Sequence, residues 1–270
     1  MTVDAVEPVP YQKTVPIKGG DEVVVLVIPR RVFARDYWRY KPGEHVAFGG
    51  PTQRGKTTLA FDLLEYTATP ELPAYVSVSK PDDNTSSKRG AQLEFRRVSE
   101  WPPPPSFNEL VMREKPRGYL VWPEFGDMDK DVVRASNVTR SLLMERYAAG
   151  ARGKKKAKGI LVMDDTMIKA KVLGLDREMT TILAMAGAMG IGLWTFVQKP
   201  TDSGRTAVWA YSQSEHIFIA KDKDTRSVMR YDEIGGQDPR LIASILPTLG
   251  PFQFVYVKAT EGYLCIVDAD

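Results

Sequence analysis

Between an apolar run and a helix-forming run lies Gly50-Pro51-Thr52-Gln53-Arg54-Gly55-Lys56-Thr57, which matches G-x-x-x-x-G-K-[ST] at every fixed position. This octapeptide constrains the fold more than anything else in the chain. The glycines let the backbone curl so that successive N–H groups converge as an anion nest, and the following helix adds its partial positive charge. Lys56 is placed to reach the β- and γ-phosphates, and the Thr57 hydroxyl to ligate Mg²⁺. Pro51, Thr52, Gln53 and Arg54 complete the loop, with Thr58 beside it. The expected cofactors are therefore ATP and Mg²⁺. The context suits the motif, because Glu44-His-Val-Ala-Phe48 reads as a short strand and Thr57 to Tyr66 has helical spacing, with Leu59, Phe61, Leu63 and Leu64 as candidate buried positions.

A phosphate loop of this kind needs a carboxylate beside the metal, at the end of a buried neighbouring strand. Gly159-Ile-Leu-Val-Met163 followed by Asp164-Asp165-Thr166 supplies it. Asp164 is the expected Mg²⁺ partner and Asp165 the expected general base. The rival, Tyr119-Leu-Val-Trp-Pro-Glu124, has a proline before its acid. A third strand, Leu193 to Val197, ends in Gln198, which is positioned to sense the γ-phosphate or orient water.

Further strands are predicted at Glu22–Ile28, Ala74–Ser79, Tyr119–Trp122 and His216–Ala220, with helices at Val132–Ala149 and Asp176–Ala188 between them. Strands alternating with helices imply a mostly parallel sheet covered on both faces. The tail, 252–258 and 263–267 around Ala259-Thr-Glu-Gly262, reads as a β-hairpin closing one edge of that sheet. The expected organisation is a proline-bearing extended arm over residues 1–20 and a single domain over 21–270. Trp101-Pro-Pro-Pro-Pro105 reads as a rigid surface connection.

Composition excludes several classes. One cysteine, Cys265, rules out a disulfide framework and a Cys-ligated zinc site, and the two histidines, His45 and His216, lack metal-ligand spacing. The net charge of +3 does not by itself argue for nucleic acid, so any basic surface must be local. The N-terminus lacks the apolar core of a signal peptide, and a cytoplasmic location is expected. Met179 to Gln198 is uncharged over a membrane-spanning length, yet it divides into a helix, a turn at Gly190-Ile-Gly192 and a strand, so no membrane association is expected.

The phosphate loop GPTQRGKTT, the strand ILVMDD and the run GIGLWTFVQKP occur in an order that resembles the FtsK/HerA superfamily of DNA-pumping ATPases. Gly190-Ile191-Gly192-Leu193 through Gln198-Lys199-Pro200 has the form of that family's third strand. Lys221 to Arg226 followed by Gly235-Gly236 looks like a further family stretch. The resemblance spans about residues 45–260. It implies an α/β RecA-like P-loop NTPase core and a homo-oligomeric ring, usually a hexamer, with double-stranded DNA passing through its centre without sequence preference. It also implies ATP bound between subunits and completed by a neighbour's arginine, for which Arg226 is the first candidate and Arg230 the second. The chain departs from the family in carrying Asp165 where many relatives carry Glu. It also has no counterpart of the DNA-orienting winged helix or membrane region of chromosome-segregating relatives. A motor of this size looks most like the viral genome-packaging and mobile-element branches, whose docking protein the sequence does not identify.

Two loops are expected to face DNA at the C-terminal ends of the strands. One carries Lys169, Lys171 and Arg177, and the other Lys199 and Arg205. The basic run Arg152-Gly-Lys-Lys-Lys-Ala-Lys158 enters the Asp164 strand from its opposite end, where a solvated loop and a DNA contact are equally open. Three other readings stand beside the motor: a P-loop ATPase acting on another polymer such as protein, a nucleotide-gated oligomeric scaffold with slow hydrolysis, and a small-molecule kinase.

Overall fold

The computed structural model describes residues 8–17, 20–153, 158–198, 205–222 and 237–269. Short apolar runs, uninterrupted by charge, become strands buried on both faces. These include β3 (Val46–Gly49), β4 (Ala74–Ser77), β7 (Gly159–Met163), β8 (Ile191–Val197) and β9 (His216–Ala220), in which every residue is buried. Five more described here are β1 (Tyr11–Pro16), β2 (Glu22–Pro29), β5 (Arg96–Val98), β6 (Gly118–Val121) and β10 (Phe254–Lys258), and β11 (Tyr263–Asp268) ends the series. They form one sheet in the order β1-β2-β11-β10-β9-β3-β8-β7-β4-β6-β5. From β9 to β5 all neighbours are parallel. Beyond β9 the sheet continues through the antiparallel β10–β11 hairpin, then β2 parallel to β11, then β1 antiparallel to β2.

The principal helices are α1 (Lys56–Thr67), α2 (Asn84–Gln92), α3 (Met128–Ala151), α4 (Asp176–Met185), α5 (Arg205–Ser212) and α6 (Pro239–Ile245). Alternate residues of each strand point to opposite faces. Phe48, Val162, Trp194, Phe196 and Phe218 therefore join one core with Leu59, Phe61, Leu63 and Leu64 of α1. On the other face, Leu161, Met163 and Leu193 pack with Leu142, Leu143, Met179 and Leu183 of α3 and α4. Ala47, Ile217 and Ile219 pack there with Ala207, Ala210 and Ile242 of α5 and α6. Phe48 stacks on Phe218 at 5.2 Å between centroids and meets Phe196 edge-on at 5.1 Å, locking the phosphate-loop strand between its neighbours.

The α/β fold with a largely parallel sheet and a C-terminal hairpin is as the sequence predicts, with one correction of placement. The hairpin does not close an edge, because β2 pairs with β11 and carries β1 outside it. Tyr11–Pro16, within the segment expected to be an extended arm, forms that outer strand. The Met179–Gln198 span is α4, a tight turn and β8, and no helix among the described residues is long and apolar enough to cross a membrane. Both histidines serve the fold. His216 bridges the Tyr256 hydroxyl and the Glu44 carboxylate at 2.8 and 3.0 Å, while His45 Nδ1 accepts from the Leu193 amide at 2.9 Å, with burial pushing its pKa down to about 4.

Candidate functional site

Four strands, β3, β8, β7 and β4, end at one edge of the sheet, and the residues that follow them line a single cleft of about 310 Å³. After β3 comes the phosphate loop, which puts Thr52, Gln53, Arg54, Gly55, Lys56, Thr57 and Thr58 on its wall. Gly50 starts the loop at φ +130°, and a Cβ there would lie 2.8 Å from that of Ala220, so only glycine fits. Its amide donates to the Val197 carbonyl at 3.0 Å, tying the loop to β8. Gly55, at φ +80°, turns the chain into α1. Gly50 and Pro51 do not line the cleft; their carbonyls instead accept from Lys56 Nζ, the Pro51 contact at 2.7 Å. Lys56 is buried, and that burial pushes its pKa down to about 8 against the pull of Asp164 and Asp165.

After β7, Asp164 and Asp165 are 3% and 7% exposed. Asp165 sits at φ +50°, a left-handed conformation that aspartate tolerates better than most residues. Its Oδ2 accepts from Gln198 Nε2 at 2.9 Å, so the two expected catalytic groups meet across the ends of adjacent strands. The Thr166 hydroxyl accepts from the Phe196 amide at 2.8 Å, which holds that junction in register. Asp165 Oδ1 and Asp164 Oδ2 are buried with no hydrogen-bond partner. Burial raises the pKa of Asp164, opposed by the positive charges of Lys80 and Lys169. Two buried carboxylate oxygens without donors, in the same cleft as the Thr57 hydroxyl, make an oxygen donor set suited to a hard divalent cation.

β8 lies between β3 and β7, so the acid strand is one removed from the phosphate-loop strand. That order is what brings Gln198 between loop and acids. The rival acid, Glu124, is a surface group with a side chain 79% exposed, beside Arg134.

Lys169 corrects an expectation. It was expected on a DNA-facing loop, but it is 1% exposed and its Nζ donates to Ser77 Oγ at 2.8 Å, with Thr139 on α3 3.1 Å from that same oxygen. A wide helical turn over Ile168–Val172, in which the Leu173 amide reaches back to the Ile168 carbonyl, turns the side chain inward. Its buried charge acts on both Asp164 and Asp165. Lys171 and Arg177 are exposed. Lys199, Arg226, Arg230 and the side chain of Arg205 lie outside the described residues.

Sequence reasoning missed the fourth wall. Lys80, Asp82 and Asp83 follow β4 into the cleft, Asp83 capping α2 by accepting from the Ser86 amide at 2.9 Å. Ser79 donates to the Asp164 carbonyl at 3.1 Å. The run AYVSVSK announces a strand ending in a lysine, but only the strand order puts that lysine beside Asp164.

No protein-family model and no curated protein matches the chain. Solved structures do. B204, the DNA-packaging ATPase of Sulfolobus turreted icosahedral virus, matches over 86% of this chain and all of its own, with a TM-score of 0.55 and 14% identity. B204 of Sulfolobus turreted icosahedral virus 2 in complex with ATP-gammaS matches over 85% of this chain and 99% of its own, at 0.52 and 15%. The cytoplasmic domain of the Thermomonospora curvata type VII secretion ATPase EccC matches over 97% of this chain but 28% of its own, at 0.51 and 12%. At these identities the likeness is one of fold, and the fold is that of RecA-like P-loop ATPases.

Burial of Lys169 has a measurable consequence. Its pKa is pushed down to about 8 by desolvation, against an ordinary value of 10.5. Between these values the unfolded chain binds the proton more tightly, so this group adds stability as pH rises. Denaturant titrations of the wild type and Lys169→Met should show their stability difference moving in favour of the wild type from pH 7 to pH 10. A difference that stays constant contradicts a charge buried at this position.

Proposed function

We propose that the protein is an ATP-hydrolysing motor that translocates double-stranded DNA, for viral genome packaging or DNA transfer, working as a ring. One observation carries the catalytic part of this reading. The phosphate loop, the acid pair and the glutamine bonded to Asp165 converge on one cleft from the ends of adjacent strands. In this reading Lys56 leaves the Gly50 and Pro51 carbonyls to hold the β- and γ-phosphates, and Thr57 with Asp164 would hold Mg²⁺. The ion would supply charge neutralisation on the transferring phosphoryl group. Asp165 accepts the proton of the attacking water, while Gln198 orients the carboxylate and the water together. Lys80 and Lys169 keep negative charge tolerable at the buried acids.

The DNA part is supported by fold likeness to packaging ATPases and by the exposed Lys171, with Lys199 and Arg205 assigned to the same role. Completion of the site by Arg226 of a neighbouring subunit, with Arg230 as its substitute, belongs to the ring, for which a hexamer is proposed. The nucleoside end of ATP is assigned to a second cleft, of about 690 Å³, that shares Gly55 and Thr58 with the first. Phe252 lines it at 48% exposure, with its ring close to Gly55 and its carbonyl held by Arg30 at 2.8 Å. A half-exposed aromatic ring beside the phosphate loop is a stacking platform for a base.

ATP turnover measured with and without linear double-stranded DNA tests the whole reading. The wild type should be stimulated several-fold, and Lys56→Ala should lose about 10²-fold or more. Turnover indifferent to DNA would remove the motor, and binding without turnover would favour the scaffold. Base stacking is worth about 1–3 kcal/mol, so Phe252→Ala should weaken ATP binding by about tenfold while tripolyphosphate binds as before. Equal weakening of both would remove Phe252 from the base site.

A further inference from the structure

A third concavity, of about 820 Å³, opens at the opposite edge of the sheet, where β6, β4 and β7 begin. Each of these strands brings in a cationic or structural wall. The segment before β6 contributes Arg113 and Lys115, Lys158 directly precedes β7, and Tyr75 of β4 forms the floor. Arg146 of α3 lies over the Tyr75 ring at 5.0 Å and donates to its hydroxyl at 2.9 Å, but its charge is already met by the Glu145 carboxylate. Arg113 and Lys115 are exposed and Lys158 is half-buried. Among the described residues, none of these three head groups has an ion-pair or hydrogen-bond partner.

Glu71 is the one carboxylate in the lining, against four cations. With Arg146 neutralised, the cleft still carries a positive excess. Three like charges gathered around one concavity repel each other, a cost relieved when a polyanion enters. The three cations come from two loops, Arg113 and Lys115 from one and Lys158 from the other; two of them are exposed, and no buried donor is aimed at a particular atom. That arrangement suits a phosphodiester backbone taken without reading its bases better than it suits a small anion that must be enclosed. A five-residue strand is about 17 Å long, so this contact would lie roughly that far from the nucleotide cleft.

We propose that the cleft formed by Arg113, Lys115 and Lys158 is a second, sequence-independent binding site for a nucleic-acid backbone, at the end of the sheet remote from ATP. It goes beyond the motor assigned above and rests on that reading only for the choice of DNA as the polyanion. It also gives the end of the basic run Arg152–Lys158 a function that its sequence left open.

The test is equilibrium binding of a labelled linear DNA duplex to the full chain across a salt titration. The wild type, a Lys115→Glu/Lys158→Glu double variant and Lys171→Glu are compared, with binding of a fluorescent ATP analogue and the thermal midpoint recorded for each. Each lost phosphate contact lowers the slope of log K against log salt by about 0.9. The double variant should therefore bind about tenfold or more weakly at low salt, with a slope smaller by about two, while nucleotide binding and midpoint match the wild type. Unchanged duplex affinity and slope in the double variant overturn the site, and heparin binding that is reduced while duplex binding is not does so equally. A wild type that binds ATP but no duplex overturns this site and the DNA part of the motor together, leaving the nucleotide site standing. A wild type that binds duplex in the cleft yet shows no DNA-stimulated turnover overturns the motor alone. Loss of the thermal midpoint in the double variant is met by Arg113→Gln, which removes one exposed charge outside every regular element and should lower the slope by about one.

Discussion

The site depends on one backbone constraint: β8 is hydrogen-bonded between β3 and β7, with all three parallel and buried on both faces. Parallel strands in register end together, so the phosphate loop, Asp164 and Gln198 emerge side by side from a single edge. The Gly50 amide bonded to Val197 and the Phe196 amide bonded to Thr166 carry that registration past the strands themselves. A shift of one residue in β8 would turn Trp194 and Phe196 out of their core and break both links. The aromatic packing of Phe48, Phe196 and Phe218 is thus also what holds the proposed catalytic groups in line.

Electrostatics explain why so much charge can be buried here. Asp164, Asp165, Lys56 and Lys169 are all less than a tenth exposed, and any one of them alone would be costly to desolvate. They offset one another: burial lowers the pKa of both lysines, and the acids act in the opposite direction. Two carboxylate oxygens are nevertheless left without donors, and Asp165 holds a left-handed backbone. Both features concentrate at the proposed reaction centre, where a ligand can compensate for them.

The features legible in the sequence are those encoded locally. The octapeptide around Lys56 needs its glycines whatever surrounds it, and Asp164-Asp165 follows a short apolar run, opened by Gly159, of the length of a buried strand. The Gln198 strand follows from the glycine turn before it. What could not be read depends on strand order. Lys80 enters the cleft only because β4 pairs with β7, and the hairpin is interior only because β2 returns to β11. Lys169 looks like a solvent-facing lysine between Ile168 and Lys171, and the wide turn that buries it has no residue signature. Arg96-Arg97-Val98 carries too little apolar character to announce an edge strand.

The central claim is that the strand ends form one hydrolytic site in which Asp165, aligned by Gln198, acts on the attacking water. Single-turnover hydrolysis by Asp165→Asn, measured alongside ATP affinity, addresses this most directly. The account predicts affinity within a few-fold of the wild type and a chemical step slower by about 10²-fold or more. Hydrolysis at the wild-type rate in that variant would contradict it.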